Sequence, residues 1–162
     1  MGREGQGMDS ESLIAAVIGL EAEAQARGAS DRPAVRTPLG TLEPLLRQLR
    51  DRDALAFDML LDHTAVDWPE EGRFEVMYRL FSLRHGHDLL VCADVPRDHP
   101  VVPTMCGIWP SAEFQEREVY DLFGIEYDQH PDLRRVFLED DWQGHPLRKD
   151  YQDPDMLEDP RK

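Results

Sequence analysis

The most restrictive feature of this sequence is a ten-residue stretch of strict alternation, Phe74 to Leu83. Phe74, Val76, Tyr78 and Leu80 fall on one side of an extended chain, and Glu75, Met77, Arg79 and Phe81 on the other. A period of two is the signature of a strand that buries one face. His85-Gly86-His87-Asp88 supplies a turn, and Leu89 to Val95 returns as the hairpin partner. Leu55 to Val66 holds at least one more strand. Met77 and Phe81 predict that the second face is also partly covered.

Around this hairpin the period changes to that of helices. Ser10 is placed to cap a helix running to about Ala26, with Leu13, Val17, Leu20 and Ala24 on one stripe and Gly28 as its stop. Gly28 to Pro38 reads as a linker or edge segment. A second helix is expected from about Thr41 to Arg52, with Leu42, Leu45, Leu46 and Leu49 as its apolar face. A Pro-rich loop, Pro96 to Pro103, leads to an expected short strand, Thr104 to Ile108. A third helix spans Ser111 to Phe123, stopped by Gly124. Pro131, Pro146, Pro154 and Pro160 then punctuate a polar segment without sustained period. The expected fold is α+β, with a mainly antiparallel sheet, helices packed on one face and an extended C-terminal arm. Its divisions are a disordered tail at 1–8, one domain at 9–127, and a partner-binding arm at 128–162 that orders only against another protein.

Composition narrows the function. The 162 residues carry a net charge of −15, which argues against nucleic acid and against anionic lipid surfaces. The longest apolar run, Leu13 to Leu20, is far short of the roughly 20 residues that a spanning helix needs. No secretory signal is seen, so a cytoplasmic location is expected. Cys92 and Cys106 form no C-x-x-C pair, and His63, His85, His87, His99, His130 and His145 are scattered. Neither a metal nor a cofactor set is apparent from these spacings.

Glu116, Arg117 and Glu118 invite a catalytic reading. No nucleophile or Gly-rich phosphate loop accompanies them, so a structural role is preferred. Arg117 stands four residues from both Glu113 and Asp121 and is expected to form an ion-pair ladder with them. Glu116 falls on the apolar stripe with Ala112, Val119 and Phe123, where a carboxylate must find a partner. Arg134, Arg135, Arg148 and Lys149 are expected to dock on carboxylates of a partner.

From Trp109 to Tyr151 the chain carries three blocks in order: E-R-E-x-x-D-x-F-G-I, H-P-x-L-x-R and G-H-P-L-R-K-D-Y. With the upstream F-E-V-M-Y-R-L-F-S-L and L-x-D-x-T-A-V-D-W-P, they resemble the C subunit of bacterial NADH:quinone oxidoreductase, respiratory complex I. Related subunits occur in membrane-bound hydrogenases and other donor-specific quinone reductases. The resemblance covers roughly Leu55 to Tyr151. Gln152 departs from it, standing where many members carry proline. The resemblance implies an accessory, non-catalytic subunit of the peripheral arm. Its principal partner would be the D subunit near the quinone site, with other peripheral-arm subunits beside it. It implies no cofactor on this chain, with FMN and iron–sulfur clusters on partner subunits. It also implies a peripheral location on the cytoplasmic side of the cell membrane, held through those partners. The residues it marks as family motif and subunit interface are Glu116, Arg117, Glu118, Asp121, Gly124, His130, Pro131, Arg135, Trp142, Gly144, His145, Pro146, Leu147, Arg148, Lys149, Asp150 and Tyr151.

Overall fold

A computed structural model describes residues 7–28 and 30–153 of the chain. Most of the expected tail and the last nine residues of the expected arm lie outside the described residues. The element order is α1 (Ser10–Leu20), β1 (Gln25–Ala26), β2 (Ala34–Arg36), α2 (Leu39–Asp51), β3 (Met59–Trp68), β4 (Arg73–Phe81), β5 (Asp88–Pro96), β6 (Val101–Pro103), α3 (Ala112–Phe123) and β7 (Glu126–Asp128). The main sheet has the order β1-β2-β5-β4-β3, and a separate pair joins β6 to β7. Within the main sheet only β2–β5 is parallel. No helix among the described residues is long and apolar enough to cross a membrane.

The hairpin read from the alternation is the centre of this sheet. Phe74, Val76, Tyr78 and Leu80 pair with Val95, Ala93, Val91 and Leu89, and all eight are buried on one face. Leu42, Leu45, Leu46 and Leu49 of α2 join the same core, as do Leu13 and Val17 of α1. On β3 the register shifts between Leu60 and Asp62. This one-residue bulge inverts the phase of the strand. It sends Asp62 outward and turns His63, Ala65 and Asp67 inward, opposite Tyr78, Val76 and Phe74. Burial pushes His63 down to about 4. Its ring is therefore neutral at physiological pH, with Nδ1–H donating to the Met77 carbonyl and Nε2 accepting from the Tyr127 hydroxyl.

Several boundaries differ from expectation. Asp9, not Ser10, caps α1, accepting from the Ser12 amide at 2.9 Å. The helix stops at Leu20, where Glu21 turns extended (φ −135°, ψ 104°) with its N–H still on the Val17 carbonyl. The expected linker contains β2, whose Ala34 and Val35 are buried beside β5, with β1 outside it as the edge strand. The short strand lies at Val101–Pro103, ahead of the expected Thr104 to Ile108, and pairs in parallel with β7. Residues 105–109 turn instead, with the Met105 carbonyl accepting from the Ile108 and Trp109 amides.

The face of the sheet opposite the helices carries a charged web. The Glu75 carboxylate is buried between Arg27 (2.8 Å) and Arg36 (2.7 Å), which ties β1 and β2 to the central hairpin. Burial alone would favour its neutral form. The two guanidiniums outweigh this and hold it at about 2, below its ordinary 4.5. A depressed carboxyl contributes stability that is present above the ordinary value and is lost as pH falls through the folded one. Glu75→Gln should therefore lower stability at neutral pH by about 2 kcal/mol. It should also flatten the loss of stability between pH 4.5 and 2. Denaturant titrations across that window check this, and equal pH slopes in both proteins would refute it.

Candidate functional site

The marked residues gather on α3 and the chain that follows it. The helix starts after the turn at Trp109, where the Ser111 hydroxyl donates to the Leu60 carbonyl. It ends at Gly124, whose N–H donates to the Tyr120 carbonyl and whose left-handed backbone (φ 71°) turns the following chain out of the helix. Its inward stripe carries Ala112, Val119 and Phe123, together with two carboxylates, Glu116 and Asp121.

Glu116 faces upstream chain. It accepts from the Thr104 hydroxyl and the Met105 amide, both at 2.6 Å, and from the Cys106 thiol at 3.6 Å. Burial pushes its carboxyl up, and these donors only partly offset that. The buried carboxylate therefore has hydrogen-bond donors, as its place on the stripe requires. His130 comes to the same spot, with Nε2 3.8 Å from Glu116 Oε2. This ring is oriented by the Asp132 amide, which donates to Nδ1, and by the Glu113 carbonyl, which accepts from Nε2–H. Pro131 next to it is exposed. Cys106, Glu116 and His130 are not legible as a set in the sequence, because a loop, a helix and a second loop bring them together.

Asp121 faces downstream chain. Its Oδ2 accepts from three successive amides, Val136 (3.0 Å), Phe137 (2.8 Å) and Leu138 (3.0 Å), while Oδ1 pairs with Arg135 (2.8 Å). Burial opposes the charge, but the Leu138 amide, Arg135 and the other two amides hold the carboxyl below its usual range. The expected ladder through Arg117 is not formed. Arg117 donates instead to the carbonyls of Arg134 and Arg135, and half-buried Glu118 lies next to it in sequence. Arg135 also reaches the carbonyls of Asp121, Trp142 and Gly144.

The last block is anchored in the same way. His145 Nδ1–H donates to the Asp121 carbonyl, the Leu147 amide to Leu122, and Arg148 Nε to Phe123 at 2.6 Å. Arg148 lies over the Phe74 ring and Lys149 Nζ over Trp68. The Lys149 amide and Arg97 both bind Asp67, and Arg97 also pairs with Asp150. Pro146 is half-buried, and the Tyr151 ring lies against Gly144. Thus Arg135 and Arg148, expected to dock on a partner's carboxylates, are engaged by this chain's own backbone and rings. The segment expected to order only against a partner is, through residue 151, tied to its own domain. Its apolar residues are sparse, but polar ties to α3 replace the core it lacks.

Among the side chains this segment leaves outward are three large apolar ones. Phe137 is 58% exposed, Leu147 51% and Trp142 37%. Phe137 meets Phe114 of α3, itself 51% exposed, edge to face at 6.1 Å. Asp121, Arg135 and Arg148 hold the segment down, and these large apolar residues stand outward beside the exposed charges of Glu139, Asp140 and Asp141.

Two variants probe the anchoring. In the isolated chain the amides of Val136, Phe137 and Leu138 should resist hydrogen exchange, and Asp121→Asn should release all three together. Rapid exchange in the unaltered chain would show that the carboxylate does not hold them. At Gly124 an added Cβ would lie 2.6 Å from the His145 ring and 2.9 Å from Arg148, whereas at Gly72, also left-handed, it meets open space. Both alanine variants carry left-handed strain of about 1–2 kcal/mol. Gly124→Ala should lose roughly 1–3 kcal/mol more through overpacking, as read by denaturant unfolding.

The family model for the respiratory-chain NADH dehydrogenase 30 kDa subunit matches residues 35–155. The C subunit of NADH-quinone oxidoreductase from Moorella thermoacetica is 38% identical over 141 residues, covering 87% of this chain and 94% of the relative. Its counterpart from Geotalea uraniireducens is 45% identical, covering 64% of this chain and 65% of the relative. Among solved structures, a chain of an archaeal respiratory complex, the membrane-bound sulfane sulfur reductase, superposes with a TM-score of 0.78 at 27% identity. That match covers 94% of this chain and 97% of the other. The trypsin-resistant fragment of Nqo5 superposes with a TM-score of 0.63 at 32% identity, covering 78% of this chain and all of the fragment. The chain belongs to the 30 kDa subunit family of respiratory-chain NADH dehydrogenase, the C subunits of NADH-quinone oxidoreductase.

Proposed function

We propose that this chain is a non-catalytic accessory subunit of the peripheral arm of a proton-translocating NADH:quinone oxidoreductase. It docks on the D subunit and stabilises the assembly near the quinone site. The carrying observation is the exposed apolar set Phe137, Trp142 and Leu147 on the segment after α3, with Phe114 of α3 against Phe137, while Arg135 and Arg148 of that segment are engaged internally. Large apolar side chains of this kind anchor interfaces, and truncating one costs about 1–2 kcal/mol or more of binding. FMN and iron–sulfur clusters belong to partner subunits in this reading, and the chain lies on the cytoplasmic side of the membrane, held through them. The likeness to the sulfane sulfur reductase complex supports a second reading, the equivalent subunit of an enzyme with another electron donor. Purification of the native complex separates the two: a flavin-bearing NADH module favours the first, a nickel–iron partner without one the second.

The docking surface is tested with the double variant Phe137→Ser/Leu147→Ser. The isolated chain should keep its stability within about 0.5 kcal/mol, because both side chains already face water. Assembled complex should fall by about ten-fold or more, with turnover per assembled complex unchanged. Assembly at the unaltered level would remove this surface from the interface. Normal assembly with collapsed turnover would point to a direct catalytic role.

A further inference from the structure

A groove of about 1060 Å³ runs between α2 and the β6–β7 pair, lined by Gly40, Pro44, Arg47, Thr104, Cys106 and Pro131 among others. Its floor reaches the half-buried Cys106, which adjoins Glu116 and His130. We propose that Cys106, Glu116 and His130 bind a single thiophilic divalent cation of the zinc class, with the fourth position open to water in this groove.

The donor set is the first reason. Thiolate, carboxylate and imidazole are the three ligand types that zinc takes, and three protein ligands with one open position is a common arrangement for it. Geometry is the second. Cys106 Sγ lies 3.6 Å and His130 Nε2 3.8 Å from Glu116 Oε2, and all three ligating atoms fall within 4.8 Å of one another. A tetrahedral zinc ion separates such ligands by roughly 3.3–3.6 Å, so the set closes by drawing together and by exchanging the present hydrogen bonds of His130 for the metal. Support from the surroundings is the third. The Thr104 hydroxyl and the Met105 amide already fix the carboxylate, as outer partners do around bound metals. The groove gives an entry path that a buried hydrogen-bond cluster does not require.

Binding changes protons in a defined way. The Cys106 thiol, pushed up to about 11 mainly by burial, gives up its proton to the solvent as the Cys106–metal bond forms. His130 moves its proton from Nε2 to Nδ1, losing its contacts to the Glu113 carbonyl and the Asp132 amide. Affinity therefore rises with pH. The ion is not a redox cofactor, and this site is independent of the docking surface above.

Cobalt(II) titration of the full isolated chain tests the proposal, with cobalt standing in for zinc. A near-ultraviolet thiolate-to-cobalt band should saturate at one equivalent and be displaced by zinc. In Cys106→Ser the band should vanish, and in His130→Gln affinity should fall by at least about ten-fold. The His130 side chain is buried and Cys106 packs against the core, so the folding of both variants is checked by circular dichroism and denaturant unfolding. Absence of the band in the unaltered chain overturns the proposal. So does a band that survives unchanged in Cys106→Ser, which would place the thiolate elsewhere.

Discussion

The carboxylate of Asp121 is the point on which the C-terminal third of the described chain depends. One oxygen gathers three consecutive amides, and the other fixes a guanidinium that in turn holds three carbonyls. A segment with no helix or strand has no ladder to satisfy its backbone, and here a single side chain stands in for one. Glu116, five residues earlier on the same helix, does the same for the turn at 104–106. α3 thus orders two stretches of irregular chain, one through each buried carboxylate. Both are well supplied with donors, which is what makes their burial tolerable.

The same division of labour explains how large apolar side chains come to stand exposed on an acidic protein. Many of its arginines are engaged internally: Arg27 and Arg36 on Glu75, Arg97 on Asp67 and Asp150, Arg135 on Asp121, Arg148 on a backbone carbonyl and an aromatic ring. Surface charge pairs contribute little to stability, but pairs with one buried member fix the positions of the chains that carry them. Phe114, Phe137, Trp142 and Leu147 stay exposed beside these internal pairs, which leaves them available for the contact proposed above.

The central hairpin, the leucine face of α2 and both ends of α3 are legible in the sequence because burial there follows a strict period. The inward turn of His63 and Asp67 is not, because it depends on a bulge at Leu61 that no local pattern announces. β2 reads as a linker since three residues are too few to show a period, and its partner lies far along the chain. Spacing misleads at Arg117 for a related reason. It names the neighbours on the same helix, but here a returning segment offers the acceptors. The family motifs mark residues of which several, among them Glu116, Asp121, Arg135 and Arg148, are engaged within the chain and position the segment after α3.

The parallel pairing of β2 with β5 has a consequence for synthesis. Ala34 pairs with Leu90, fifty-six residues later, so the first four elements leave the ribosome well before the strand that completes their sheet. At roughly 5–20 residues per second this interval is about 3–11 s, long compared with the microseconds in which a helix forms. During it the leucine face of α2 has no sheet to cover it and is open to chaperones or to misassociation. The nascent chain is thus most vulnerable in its first half, while the segment after α3, held by Asp121, has its anchor already made when it emerges.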